Sequence, residues 1–142
     1  MFPRVLLVAL AAAVLATACG SDSPTGPSTP TAVYSSTDLV VGEGAEAVNG
    51  SRVTVHYTLW LYDPAQPESK GLQRESSRTG NGFAFVLGAG QVIRGWDQGV
   101  PGMKVGGQRR LILPPSLGYG SSSGHELERA SLVFDIELLG VS

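Results

Sequence analysis

The sequence predicts a small α+β domain, an antiparallel sheet of about five strands with one short helix covering one face. Three observations carry that prediction. The run Arg52–Tyr62 alternates apolar with other side chains over eleven residues, the pattern of a half-buried strand. Nineteen glycines in 142 residues, nearly twice the average usage of ~7%, supply many turns between short strands. Only one segment, with Val92, Trp96 and Val100 at i, i+4 and i+8, has helical apolar spacing.

Taken in chain order, residues 34–41 form a weaker edge strand. The run Arg52–Tyr62 sets Val53, Val55, Tyr57, Leu59 and Leu61 on one face and is stopped by Asp63-Pro64. A polar stretch then reads as turns as far as Asn81-Gly82, after which Phe83, Phe85 and Leu87 alternate in another strand. Gly88 and Gly90 break it. The apolar spacing from Val92 to Val100 then predicts a helix of two or three turns, ended by Pro101-Gly102. Gln108–Leu113 is a strand entered through Gly106-Gly107 and left through Pro114-Pro115, which have no N–H to donate to a ladder. Residues 131–139 close the sheet, with Leu132, Phe134, Ile136 and Leu138 inward against Asp135 and Glu137 outward.

The first eighteen residues read as a signal peptide rather than as part of the fold. Arg4 precedes an apolar stretch, residues 5–16, of signal-peptide length and shorter than the ~18 residues needed to cross a bilayer. Small residues then run into Cys19, the single cysteine. Leu15-Ala16-Thr17-Ala18-Cys19 resembles the lipobox of bacterial lipoproteins, with Ala16 where a Leu is usual. That resemblance implies lipidation of Cys19 and anchoring in the cell envelope; the alternative is an ordinary secreted chain cut near Ala18. Residues 19–33 follow as the lipidated cysteine and a Pro/Ser/Thr linker with little to bury. Fourteen such residues reach at most about 45 Å, and residues 34–142 form the domain.

Composition removes whole classes of function. Ten Lys and Arg against twelve Asp and Glu give a net charge of -2, without the basic footprint of a nucleic-acid binder. One Cys and two His exclude an intramolecular disulfide and the common zinc frameworks. Three catalytic patterns occur by accident. Gly120-Ser121-Ser122-Ser123-Gly124 fits G-x-S-x-G but has no strand before it and no helix after it. His125-Glu126 opens H-E-x-x-H, but position 129 is Arg. Gly88-Ala89-Gly90 lacks the third glycine of a dinucleotide loop. His56 reads as an outward strand residue.

What remains is a concentration of aromatics, Tyr57, Phe83, Phe85, Trp96, Tyr119 and Phe134, which by default are core. The words around them change that reading. VTVHYT (53–58), FAFVLGAGQVIRGWDQGVPGMKVGGQRRLILPPSLGYG (83–120) and ASLVFDIELLGV (130–141) resemble FKBP-type peptidyl-prolyl cis-trans isomerases over almost the whole domain. The resemblance implies a half-rolled antiparallel sheet of five strands wrapped on one short helix. It implies Trp96 as a floor under the proline ring, with Tyr57, Phe83, Val92, Ile93 and Phe134 as walls. It also implies that Tyr119 and the Ile93 backbone N–H donate to the substrate carbonyls, and it places Glu75 and Leu127 at the site. No cofactor is expected, and the implied partners are proline-containing polypeptide segments, with macrolide inhibitors for the same pocket, acting on a monomer.

Such a pocket accelerates rotation about an Xaa-Pro bond, whose barrier is about 18 to 20 kcal/mol. No covalent step is needed, since the twisted amide carries less charge separation than the planar one and is favoured by a dry apolar wall. The chain departs from the family at the rim, where Arg74-Glu75 stands in place of the usual Phe-Asp and residues 125–129 (His-Glu-Leu-Glu-Arg) replace an apolar loop with two prolines. Leu59 also replaces a customary Gly. A polar, looser rim is the expectation. Three functions therefore stand: an isomerase for exported proteins, a prolyl-peptide-binding chaperone without useful turnover, and a structural lipoprotein.

Overall fold

A computed structural model describes residues 30–142. The signal peptide, Cys19 and the linker as far as residue 29 lie outside the described residues. Six strands form one antiparallel sheet in the order β1-β5-β6-β2-β3, with β4 also paired to β2. They are β1 (Ser35–Val40), β2 (Arg52–Tyr62), β3 (Lys70–Ser76), β4 (Phe83–Val86), β5 (Gln108–Leu113) and β6 (Leu132–Val141). Among the described residues there is one α-helix, α1 (Arg94–Gly99), between β4 and β5 in the chain.

β2 organises the sheet because it is long enough to serve three partners. One edge pairs with β6, from Val53 opposite Val141 to Leu61 opposite Leu132. The other edge is shared end to end, with β4 opposite Arg52 to Val55 and β3 opposite Thr58 to Tyr62. Between them the ladder breaks at Tyr57, and Ser77 fills the gap. Its hydroxyl accepts the Tyr57 N–H at 2.8 Å and its own N–H donates to the Tyr57 carbonyl at 2.9 Å, so no backbone group is left unpaired where the strand turns its side chain to the cavity.

The predicted alternation on β2 is what the structure buries. Val53, Val55 and Leu59 are completely buried, together with Leu111 and Leu113 of β5 and Leu132 and Leu138 of β6. The outer face is closed by charge instead. Asp135 takes two hydrogen bonds from Arg110, at 2.7 and 3.0 Å, and an ion pair with Lys70 at 2.8 Å. Burial raises the Asp135 pKa, and the hydrogen bonds from Arg110 and Lys70 more than reverse that, leaving it below its ordinary value. Lys70 also sits 4.1 Å over the Trp60 ring.

Three elements differ from the sequence reading. β3 falls in the stretch expected to be turns, which makes six strands rather than five. The helix has six residues and starts at Arg94; Val92 precedes it in irregular chain, and Ile93 is extended (φ -60, ψ 152) at its N-cap. Ala32, inside the expected linker, is buried, and its N–H donates to the Ser131 hydroxyl at 2.9 Å. A small side chain and one satisfied amide are enough to dock the chain before β1 begins.

Candidate active site

Helix α1 delivers Trp96 because two glycines let it sit close to the sheet. A Cβ on Gly95 would lie 2.4 Å from a Leu113 methyl, and one on Gly99 2.6 Å from a Leu111 methyl. Four residues apart, the two glycines form one smooth stripe against β5. Trp96 is thereby held 4% exposed. The turn before the helix is fixed by Asp97, whose two carboxylate oxygens accept the N–H groups of Gly88 and Gly90 at 2.9 and 3.0 Å. The side-chain oxygen of Gln91 accepts the Val86 N–H at 3.0 Å. These bonds place Val92 and Ile93 on the cavity wall, and the Ile93 N–H donates to no group among the described residues.

Around Trp96 stand rings from three strands. Tyr57 of β2 is 4.9 Å from it between centroids and Phe134 of β6 is 5.3 Å, at 78° and 83°. Phe83 of β4 is 6.1 Å away at 76°, and Phe85 backs it at 5.5 Å. Such edge-to-face contacts suit the ring quadrupoles. The indole N–H is buried without a hydrogen-bond partner among the described residues, the one polar atom in an otherwise aromatic floor left unsatisfied.

Above that floor opens a cavity of about 420 Å³, lined by Tyr57, Phe83, Val92, Ile93, Trp96, Tyr119 and Phe134, with Gly90, Gln91, Arg94, Gly118, Ser121 and Ser122 completing its mouth. Seven of the nine residues expected at the site on the family resemblance thus share one space. Glu75 stands just outside the lining, where its carboxylate accepts the Tyr57 hydroxyl at 2.5 Å; the extra methylene that distinguishes Glu from Asp still lets it reach. Leu127 does not line this space. Expected on the substrate wall, it is 7% exposed and belongs to the core cluster beneath the loop, because it is the only apolar side chain in 125–129 and packs inward.

Tyr119 is positioned from two sides. Gly120 must be a glycine, since a Cβ there would meet the Pro115 carbonyl oxygen at 2.4 Å, and its N–H donates to that oxygen at 2.7 Å. The His125 ring stacks parallel on Tyr119 with centroids 4.1 Å apart, while its Nδ1 accepts the Leu127 N–H at 3.0 Å. Burial first, then the hydrogen bond to Glu75, pushes the Tyr57 hydroxyl far above the usual tyrosine range; burial and then the Glu75 charge push Tyr119 up as well. Both phenols therefore remain donors.

The rim is polar, as expected, but it is not loose. Residues 119–130 form consecutive turns: the N–H groups of Ser122, His125, Glu128 and Ala130 donate to the carbonyls of Tyr119, Ser122, His125 and Leu127. Arg74 on β3 pairs with Glu126 at 2.5 Å, joining this loop to the sheet. No strand or helix flanks Gly120 to Gly124, so the accidental G-x-S-x-G pattern has no nucleophile elbow. His56 is half-buried, its Nδ1 3.2 Å from the Ser77 hydroxyl. Apolar spacing alone does not reveal the pair Gly95 and Gly99, although two glycines four apart within a helix are a signal for close packing.

Known proteins agree with this architecture. Residues 43–139 match the family model described as FKBP-type peptidyl-prolyl cis-trans isomerase. The chain is 45% identical over 106 residues to the FK506-binding protein of Neisseria meningitidis serogroup B, covering 73% of this chain and 92% of that one. Among solved structures, AtFKBP13 superposes with a TM-score of 0.62 at 36% identity, over 77% of this chain and 93% of that one. FkpA from Escherichia coli gives a TM-score of 0.64 at 30% identity, over 82% of this chain and 53% of that one. With its aromatic cavity, its sheet on a short helix and these relatives, the chain belongs to the FKBP-type peptidyl-prolyl cis-trans isomerase family.

Proposed function

We propose that the chain turns over Xaa-Pro bonds in exported proteins from a lipid anchor at Cys19. The observation that carries the catalytic part is the cavity: Tyr57, Trp96, Phe134 and Tyr119 converge on one aromatic-floored space, and burial raises both phenol pKa values. In this reading the proline ring rests on Trp96 between Tyr57, Phe83, Val92 and Phe134. The Ile93 N–H and the Tyr119 hydroxyl donate to the carbonyls on either side, and Glu75 orients Tyr57. Rotation is favoured because the twisted amide loses resonance and charge separation, and so loses less on leaving water than the planar amide does. Proximity to a floor already packed against three strands spares the site reorganisation during the turn.

The test is a protease-free isomerisation assay on a blocked Ala-Xaa-Pro-Phe peptide at 10 °C, where uncatalysed exchange takes minutes. Catalysed exchange inhibited by the macrolide FK506 supports an active pocket that also admits that ligand. Binding without acceleration selects the chaperone reading, which the Arg74–Glu126 pair favours by putting charge where the family has an apolar wall.

The anchor rests on the sequence of residues 1–19. Replacing Cys19 with Ser is expected to move the protein from the membrane fraction to the soluble one with the domain still folded. An unmodified Cys19 in the mass spectrum of the mature N-terminus overturns the anchor and leaves the isomerase reading intact.

A further inference from the structure

Arg109 occupies an inward position on β5. Residues 109, 111 and 113 share one face of that strand, and the other two are the completely buried Leu111 and Leu113 on which Gly99 and Gly95 of α1 rest. At the end of this row the sheet meets the helix with a guanidinium instead of a methyl. Arg109 Nη1 donates to the carbonyls of Gly99 and Pro101 at 2.7 and 3.0 Å, and the side chain is only 14% exposed. Its Nε donates to the Asp38 carboxylate at 2.6 Å, directly across the ladder on β1. A helix of six residues has few bonds of its own, and its last carbonyls need partners from outside. Asp97 ties the helix to the turn before it through Gly88 and Gly90. Trp96 thus rides on a helix held at its start by Asp97 and at its end by Arg109.

From this arrangement we infer that Arg109 is a positioning residue for isomerisation: it fixes the C-terminal end of α1, and through it the Trp96 ring, while Asp38 holds the guanidinium in place. The inference rests on the proposed seating of the proline on Trp96. Leu111 and Leu113 set how closely the helix approaches the sheet, but apolar contact has no preferred direction along the helix axis. Charge-assisted hydrogen bonds to two particular carbonyls do have one, so Arg109 stops the helix from sliding or turning on its smooth glycine stripe. Displacing a group that positions substrate by ~1 Å can cost about 10²-fold in rate. The loss here is smaller, because Asp97 still holds the other end.

The experiment compares the wild type with Arg109→Gln, Arg109→Lys and Asp38→Asn, using a blocked Ala-Leu-Pro-Phe peptide. It reads kcat and KM in the protease-free assay, peptide affinity by titration, the melting temperature, and the indole N–H resonance of Trp96 by 15N NMR. Trp60→Phe assigns the resonances of the two tryptophans. At a temperature where each variant is fully folded, Arg109→Gln is expected to shift the Trp96 resonance and to lower kcat/KM by about five- to twentyfold. Arg109→Lys keeps a charged donor for one carbonyl and should recover part of that loss. Asp38→Asn keeps an acceptor for Nε and should cost about two- to threefold. A lowered melting temperature with wild-type kcat/KM and an unmoved indole resonance overturns the inference, since Arg109 is then structural alone. Should Arg109→Gln not fold, wild-type values of both readouts in Arg109→Lys overturn it instead. If the wild type binds the peptide without turning it over, the isomerase reading fails, while affinity and resonance across the variants still decide the role of Arg109. A wild type that binds no prolyl peptide removes the seating on Trp96 and overturns the inference with it.

Discussion

The floor of the cavity and its rim are built from different interactions. Trp96 and Phe134 are 4% and 2% exposed, and the rings about them come from four separate elements, β2, β4, α1 and β6. The rim, made by β3 and residues 121–129, is held by a hydroxyl on Glu75, a stacked His125 and one ion pair, all half-buried or exposed. Packed aromatics fix a geometry to a fraction of an ångström because every ring is bounded by others. Exposed polar pairs fix little and are screened by salt. Of the departures named from the family resemblance, Arg74, Glu75 and the polar residues of 125–129 lie on the rim, whereas Leu59 is completely buried in the core. On the proposed seating of the proline, the difference implies a division of labour in which the packed floor would set whether a prolyl bond is gripped and the rim which one.

If that division holds, the largest effect belongs to the floor. Trp96→Ala removes a buried aromatic and is expected to lower stability by about 3 to 5 kcal/mol, with loss of peptide binding, measured by denaturant unfolding and titration. Trp96→Leu keeps apolar volume and separates the roles: a folded variant with wild-type affinity and turnover makes Trp96 core alone. Next in size is the surface under the helix. Gly95→Ala puts a methyl against the fully buried Leu113, and overpacking there is expected to cost about 1 to 3 kcal/mol. By lifting α1 it should also weaken prolyl-peptide binding. A variant as stable and as tight as wild type would show that Leu113 yields and that the helix seat is not what places Trp96.

Tyr119 stands at the boundary of the two regions, and its predicted effect is intermediate. Tyr119→Phe keeps the ring that His125 stacks on and removes one neutral hydrogen bond to substrate. Turnover is expected to fall by about two- to tenfold with the melting temperature nearly unchanged. A large stability loss with wild-type turnover would make the hydroxyl structural. Since burial raises both phenol pKa values, the alkaline fall in wild-type kcat/KM should lie above the pH at which an ordinary tyrosine ionises. The sign follows from linkage: a raised folded-state pKa keeps its full contribution below the unfolded value of about 10 and loses it only as pH rises further. A fall in kcat/KM centred near 10 would contradict the shifts.

The same contrast explains what the sequence disclosed. β2, β5 and β6 are legible because each buries one face, so their apolar residues alternate. β3 is Lys-Gly-Leu-Gln-Arg-Glu-Ser, with no buried residue; its strand character comes from pairing with β2, which no local pattern records. The apolar spacing predicts a longer helix than forms because Val92 does pack on the core at helical spacing, but from irregular chain, where the Asp97 bonds to Gly88 and Gly90 fix the turn. At the site, the aromatics were legible through the words that surround them. Leu127 was not, because composition says that an apolar residue will find cover without saying on which side of a loop it lies.

The smallest effect should come from the rim, and it tests the comparison from the other end. Arg74 and Glu126 are 32% and 69% exposed in their side chains, so their coupling in a double-mutant cycle is expected at no more than about 1 kcal/mol at low salt and near zero at high salt. The reversed pair, Arg74→Glu with Glu126→Arg, should restore most of what either single change loses, since nothing else bonds to these groups among the described residues. The catalytic consequence is separate from stability. Arg74→Phe with Glu75→Asp replaces the charged wall by an apolar one and keeps a carboxylate for Tyr57. It is expected to raise kcat/KM on peptides with an apolar residue before proline and to reduce the salt dependence of that series. If this variant folds and is no faster on any peptide, the wall before the proline is already complete without a phenyl ring.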